Sequence, residues 1–257
     1  MKLSEKEIKR YNRQIIAMEI GEEGQEKLKS SSILIMGLGG LGSPVAYYLT
    51  AAGVGRLGLI DMDVVELSNL QRQIIHSTET IGKNKTDSAF QKLSRLNPNV
   101  KLKLINEKLT TKNALSIIEN YDFIVDCSDN FGAKFLVNDA CLKKKKPFSI
   151  GGVRGFEGQL MTVIPFKSAC YRCVFHSPPP KTDSPLPVVG ATPGFAGTIQ
   201  AMEAIKYIIG LRDGLLTNFL LIFDLLTMSF QKIRIKADEN CPACGKEPSD
   251  LLNTYQY

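Results

Sequence analysis

Three groups of residues in this chain could carry chemistry, and the cysteines are the most sharply spaced. Cys170-Tyr-Arg-Cys173 and Cys241-Pro-Ala-Cys244 are two C-x-x-C pairs with 67 residues between them. Each pair can offer two thiolates to one ion, and four thiolates close a tetrahedral zinc site with no open position for catalysis. The separation exceeds that of a compact zinc ribbon, so the site is expected to be structural and to tie two distant segments together. A redox C-x-x-C is the rival reading. Cys127 and Cys141 read as small core residues.

The second group is Ile33-Leu-Ile-Met-Gly37-Leu-Gly39-Gly40-Leu-Gly42, four apolar residues running into G-x-G-x-x-G. The first glycine allows a tight turn, the second lets backbone approach a ligand, and the third lets helix pack on strand. Backbone N–H groups at the new helix N-terminus then face phosphates. The loop alone does not distinguish NAD, FAD and ATP.

The third group is polar: Asp61-Met-Asp63, then Ser68-Asn69-Leu70-Gln71-Arg72-Gln73, with Lys85 and Asp129. Asp61, 19 residues past Gly42, can reach a ribose hydroxyl. Arginine and lysine suit triphosphate charge, and Asp129 suits Mg2+. A nicotinamide enzyme would need little of this beyond Asp61.

The elements that must position these groups alternate. A strand at 33–36 leads to a helix at 43–53 and a strand at 56–61. Helix 83–96 precedes strand 100–105, helix 112–119 precedes strand 122–126, and helix 132–145 precedes strand 147–150. Repeated βα units imply a Rossmann-like, doubly wound, mostly parallel sheet with right-handed crossovers. Apart from Lys85, the polar set falls at predicted strand C-termini, where open α/β sheets bind ligands. After Gly151 the pattern changes. Residues 153–164 read as a hairpin turning at Glu157-Gly158, which adds antiparallel strands. Residues 177–194 hold six of the twelve prolines and read as a long mobile crossover loop. A helix at about 196–210 and strands at about 217–223 and 228–235 follow. At the start, residues 4–28 form a helical arm broken near Gly21 and Gly24. Its Arg10 and Arg13 flank apolar residues, as snorkelling stems on a docked helix would.

Composition is that of a soluble globular chain: 257 residues, 44% hydrophobic and 23% charged. No apolar run reaches membrane-spanning length, and the charged N-terminus lacks a signal-peptide core, so a cytoplasmic location is expected. The net charge of +6 is mild. The densest basic run, Lys143 to Lys146, fits the last turn of a helix. No aromatic residues interleave with it, so it gives no support for nucleic-acid binding, and a basic protein attracts an acidic partner.

Taken in order, Gly37-x-Gly39-Gly40-Leu41-Gly42-Ser43, Asp61-x-Asp63, Ser68 to Gln73, Gly82-Lys83-x-Lys85, Asp126-x-x-Asp129-Asn130 and the paired C-x-x-C resemble the ubiquitin-activating-enzyme-like adenylyltransferases. The resemblance is greatest to the branch that activates the small subunit of molybdopterin synthase or the thiamine-pathway sulfur carrier. It implies one adenylyltransferase domain over 1–257, with an arm (1–30), a nucleotide-binding half (31–150) and a carrier-binding half with the zinc site (151–257). It implies ATP-dependent adenylylation of the C-terminal Gly-Gly carboxylate of a ubiquitin-like carrier. ATP would then sit on Gly37, Gly39, Gly40, Gly42, Asp61, Asp63, Ser68, Asn69, Leu70, Gln71, Arg72, Lys85, Asp129 and Asn130. Arg72 and Lys85 would neutralise the triphosphate, Asp129 would hold Mg2+, and Arg13 would reach the ATP of the opposite subunit in a homodimer.

One departure stands out. Many relatives carry a cysteine in the crossover loop for thioester or persulfide chemistry, but Lys181 to Gly190 contains none, and about Leu186 takes its place. Chemistry is therefore expected to stop at the acyl-adenylate, with sulfur delivered by another protein. Two other adenylation substrates, a short peptide and a tRNA base, remain open. So do two different classes, a nucleotide-dependent oxidoreductase and a non-catalytic binding module.

Overall fold

The computed structural model describes residues 2–177 and 186–254. The chain opens with α1 (Glu5–Ile15) and α2 (Gly21–Ser30). Ser4 and Glu7 form a capping box at the start of α1, and Lys29 of α2 pairs with Glu7 at 2.8 Å, joining the two helices. The break lies at residues 16–20 rather than at Gly24. Gly24 sits inside α2, where a Cβ would meet the Ile20 and Ile209 side chains at 3.1 and 3.5 Å.

The parallel half follows: β1 (Ser32–Met36), α3 (Gly42–Ala51), β2 (Arg56–Ile60), α4 (Lys85–Leu96), β3 (Lys101–Ile105), α5 (Ala114–Ile118), β4 (Phe123–Asp126), α6 (Phe131–Lys143) and β5 (Phe148–Arg154). Then come β6 (Glu157–Val163), α7 (Tyr171–Val174), α8 (Ala191–Ile209), β7 (Phe219–Asp224) and β8 (Ser229–Arg234). They build one sheet of order β3-β2-β1-β4-β5-β6-β7-β8. β1 to β5 pair in parallel, and β5 to β8 pair antiparallel. The doubly wound expectation with an antiparallel extension holds.

Apolar residues alternate across β1, as a sheet covered on both faces requires. Ile33 and Ile35 pack in one core with Leu49, Leu57, Ala201 and Ile205, beneath α3 and α8. Leu34 and Met36 pack in the other with Phe135, Leu136 and Ile118, beneath α5 and α6. The basic run closes α6 as expected, with Lys143 and Lys144 paired to Asp250 and Glu119.

Two further expectations are corrected. The hairpin turns at Gly155-Phe156, not at Glu157-Gly158: Arg154 pairs with Glu157, and Gly155 takes a φ of 58°. Gly158 lies inside β6 because the Phe223 ring occupies the space that a side chain there would need, leaving no room for a Cβ. α8 begins at Ala191, not near 196, since Pro193 falls in its first turn, where no N–H is needed. Most of the expected crossover loop, residues 178–185, lies outside the described residues. Among the described residues no helix is long and apolar enough to cross a membrane.

Candidate functional site

The chain leaves β1 toward β2 and β3 on one side, then returns to place β4 on the other side of β1. The crevice beyond the C-termini of β1 and β4 is therefore the switch point where open α/β sheets bind ligands. Gly37 leaves β1 with a φ of 91°, and a Cβ there would lie 3.0 Å from the Cys127 carbonyl. The loop after β1 and the segment after β4 thus face each other across the crevice. Gly40 touches the first turn of α8, where a Cβ would lie 2.9 Å from Pro193 Cγ. Ser43 N–H returns to the Gly39 carbonyl at 2.9 Å to start α3, and Leu38 N–H goes to Asp61 Oδ2 at 2.7 Å. The N–H groups of Gly39, Gly40 and Leu41 have no backbone partner among the described residues. Such a cluster at a helix N-terminus suits an anion.

Asp61 ends β2 beside the loop. Its second oxygen accepts from Asp63 N–H at 2.9 Å, and each oxygen keeps a lone pair for a hydroxyl. Burial pushes its carboxyl up, opposed by the Lys85 ammonium and the two N–H donors. Lys85 is buried at the first residue of α4, where the helix dipole disfavours a cation. It is held there by Asp63 at 2.8 Å.

Residues 66 to 73 coil beside the loop. Asn69 is buried and shapes that coil, its Oδ1 accepting from Glu66 N–H at 3.1 Å. Arg72 lays its stem on Gly40, with Cγ 3.5 Å from a Cβ there, and donates to the Ser68 carbonyl at 3.1 Å. Among the described residues the other guanidinium donors have no hydrogen-bond partner. Gln71 Nε2 donates to the Val188 carbonyl at 3.4 Å, and Gly190 presses on the Gln71 backbone. Ser68 is exposed and Leu70 half-buried. Asp129 is an exposed carboxylate after β4. Asn130 caps α6 by accepting from Ala133 N–H at 2.8 Å, and its Nδ2 donates to Asp129 Oδ1 at 3.4 Å.

Arg13 is the one proposed site residue the fold keeps away. Around it on α1, Arg10 donates to the Leu96 carbonyl, Tyr11 accepts from Asn97, and Gln14 donates to the Ala52 carbonyl. Those contacts precede β2 and β3, at the edge of the sheet opposite the crevice.

Three residues went unassigned in the sequence. Gln73 is 4% exposed beside Gly39, and its Oε1 has no partner among the described residues. Lys134 is buried between Asp126, at 3.4 Å, and the Gly151 carbonyl, at 2.5 Å. His76 is buried against the glycine loop. Of the three, only Gln73 lay within a recognised motif.

The four paired cysteines converge from two segments. Cys170 and Cys241 are 3.7 Å apart, Cys173 and Cys244 3.5 Å, and Cys170 and Cys173 3.9 Å. Zinc–sulfur bonds of about 2.3 Å in a tetrahedron imply sulfur–sulfur edges of about 3.8 Å, so the cluster has the size of a zinc site. Gly245 closes the second knuckle by donating to the Cys241 carbonyl at 2.8 Å, and carbonyl oxygens fill its side-chain space. The thiols share hydrogens within the cluster, so that hydrogen bonding from Cys170 pushes the Cys241 and Cys173 thiols down while Cys170 and Cys244 are pushed up, and a metal would displace the protons that these two keep. The first knuckle is anchored on α6, where Arg172 forms two 2.9 Å bonds to Asp139. Cys127 and Cys141 are buried and burial pushes both thiols well up, as core residues require.

Comparison with known proteins agrees with this geometry. The chain is 42% identical over 258 residues to the sulfur carrier protein adenylyltransferase of Thermus thermophilus, covering 97% of this chain and 95% of that protein. It is 46% identical to the adenylyltransferase and sulfurtransferase MOCS3 of Culex quinquefasciatus, covering 96% of this chain but only 58% of MOCS3. Escherichia coli MccB shares the fold, with a TM-score of 0.85 at 22% identity over 96% of this chain and 75% of MccB. The solved structure of PaaA superposes with a TM-score of 0.78 at 26% identity, over 91% of this chain and 75% of PaaA. Residues 11–243 match the ThiF family, which sets aside the oxidoreductase alternative. The chain belongs to the ThiF family and is an adenylyltransferase.

Proposed function

We propose that this chain uses ATP and Mg2+ to adenylylate the C-terminal Gly-Gly carboxylate of a ubiquitin-like sulfur-carrier protein. A carboxylate oxygen attacks the α-phosphorus, the bond to the bridging oxygen of the β-phosphate breaks, and acyl-adenylate and pyrophosphate result. The observation that carries this reading is the row of unpartnered N–H groups at Gly39 to Leu41, with Arg72 laid across Gly40, at the switch point of a ThiF-family chain. The name of the Thermus thermophilus relative supports the carrier as substrate.

The chemistry is mostly positioning and charge neutralisation. Gly37, Gly39, Gly40 and Gly42 cradle the phosphates, and Asp61 accepts from the ribose. Arg72 and Lys85 neutralise the triphosphate, with Lys85 turning from Asp63 toward it. Asn69 keeps the coil of Ser68, Leu70 and Gln71 in place, and Asn130 holds Asp129 near the metal. Mg2+ bound at Asp129 would offset charge developing on the leaving pyrophosphate. Zn2+ on Cys170, Cys173, Cys241 and Cys244 would be structural.

The enzyme works as a homodimer. Arg13, exposed at the edge of the sheet away from its own crevice, serves a second copy in this reading, as the family resemblance implies. Exposed Ile16, Met18 and Tyr48 near that helix suit a covered face. The arm, nucleotide-binding and carrier-binding parts act within one domain in the cytoplasm, where cysteines outside disulfides are at home. With Leu186 in place of a loop cysteine, the product is released as acyl-adenylate for sulfur transfer in molybdopterin or thiamine biosynthesis. ATP–pyrophosphate exchange with purified Gly-Gly carriers tests the reading. Exchange that requires one of them supports it, and exchange supported instead by a short peptide or tRNA overturns the substrate.

A further inference from the structure

His76 lies beyond every motif in the chain, yet it is 5% exposed and makes two hydrogen bonds through its ring. Nε2 is 3.0 Å from the Leu38 carbonyl oxygen, and Nδ1 is 2.9 Å from Ser88 Oγ. A carbonyl can only accept, so Nε2 carries the proton, while Ser88 Oγ also lies 2.9 Å from Thr80 Oγ1, so that its single hydroxyl hydrogen is shared between Nδ1 of the ring and Thr80. Burial pushes the ring down to about 4, with Lys85 and Lys92 facing it in the same sense and the Leu38 carbonyl opposing. Lys92 Nζ also holds the His76 carbonyl at 3.0 Å.

The Leu38 carbonyl belongs to the same planar peptide as the Gly39 N–H. In a trans peptide the two point in opposite directions. Drawing the carbonyl toward His76 therefore turns the Gly39 N–H away from the core and into the crevice. The preceding peptide is fixed independently, since Leu38 N–H goes to Asp61 at 2.7 Å. Through Ser88, three residues from Lys85 on α4, the same ring ties the loop to the helix that carries the buried ammonium.

We propose that His76 is a positioning residue for the nucleotide: its Nε2–H sets the Leu38–Gly39 peptide so that the Gly39 N–H faces the phosphates. The nucleotide part of this inference rests on the function proposed above. The loop clamp does not.

Two variants of the full chain separate this role from simple packing. The terminal N–H of glutamine can reach the place of Nε2, whereas that of asparagine reaches only the place of Nδ1. His76→Gln is expected to keep Mg–ATP affinity within about threefold of wild type, and His76→Asn to weaken it about tenfold, the scale of one lost hydrogen bond. Hydrogen exchange of the amides of residues 38–41 should be faster in His76→Asn than in His76→Gln. Equal exchange in the two variants, or equal affinity, overturns the proposal. If wild type binds no ATP while the exchange contrast persists, the nucleotide reading fails and the clamp stands. If His76→Asn does not fold, Ser88→Ala removes the Nδ1 partner, together with the Ser88 hydrogen bond to Thr80 Oγ1. It is expected to speed loop exchange, and unchanged exchange there overturns the clamp.

Discussion

Replacing Gly42 by alanine probes the loop with a single methyl group. A Cβ at position 42 would lie 1.9 Å from the Gly37 carbonyl oxygen and 2.9 Å from its carbon. Both are backbone atoms, so no side chain can rotate away. A carbon and a carbonyl oxygen approach to about 3.3 Å, so the turn and the N-terminus of α3 must part by about 1.4 Å. Overpacking of this kind costs about 1–3 kcal/mol. It also displaces the N–H groups of Gly39 to Leu41 from the phosphates, and a misplacement of about 1 Å can cost about 10²-fold in rate. The assay is ATP–pyrophosphate exchange with a responsive carrier, paired with urea denaturation. Exchange within about threefold of wild type together with unchanged stability would refute the reasoning. Gly194→Ala is the control: no neighbouring side chain or loop atom of the described residues lies within 4 Å of its Cβ position in the first turn of α8. There alanine should stabilise by about 0.5–1 kcal/mol, and a destabilised variant would show that the space was misjudged.

Other outcomes follow from the same geometry. Arg72→Ala removes a half-buried cation from the crevice, so pyrophosphate exchange should fall about 10²-fold with the melting temperature nearly unchanged. A variant that exchanges normally would remove Arg72 from the phosphate site. Cys241→Ser breaks the thiolate cluster, so it should lose bound zinc by elemental analysis and melt at lower temperature. Zinc retained at wild-type stoichiometry would argue against the site. Stability should fall on acidification because His76 is buried neutral. Its pKa drops from 6.5 to about 4 on folding, so the unfolded chain takes up the proton first as pH falls. The loss begins below pH 6.5, reaches about 2 kcal/mol by pH 5 and is complete below about 4. Urea midpoints from pH 7.5 to 5 measure this, and His76→Gln should flatten the dependence.

Much of the fold was readable because its signals are local. Four apolar residues before Gly37 and a helix after Gly42 leave few options besides a buried strand and a phosphate loop. Asp61 and Asp129 could be placed at strand ends from alternation alone. The hairpin turn was misplaced because Gly155 and Gly158 look alike in sequence. Only the Phe223 ring, from a strand about 60 residues later, decides that Gly158 is a packing glycine. The start of α8 was hidden by Pro193, which breaks a helix interior but not a first turn. The cysteine pairs were legible as pairs, whereas their anchoring on α6 through Arg172 and Asp139 was not. His76 could not be found because its partners, the Leu38 carbonyl and Ser88, are set by tertiary packing rather than by spacing.

The most direct measurement is ATP–pyrophosphate exchange by the full chain with Mg2+, with and without a purified ubiquitin-like carrier ending in Gly-Gly. The expected result is exchange that depends on the carrier and disappears when its terminal glycine is removed. Exchange indifferent to the carrier, or none with any Gly-Gly carrier while ATP binds, would contradict the proposed function.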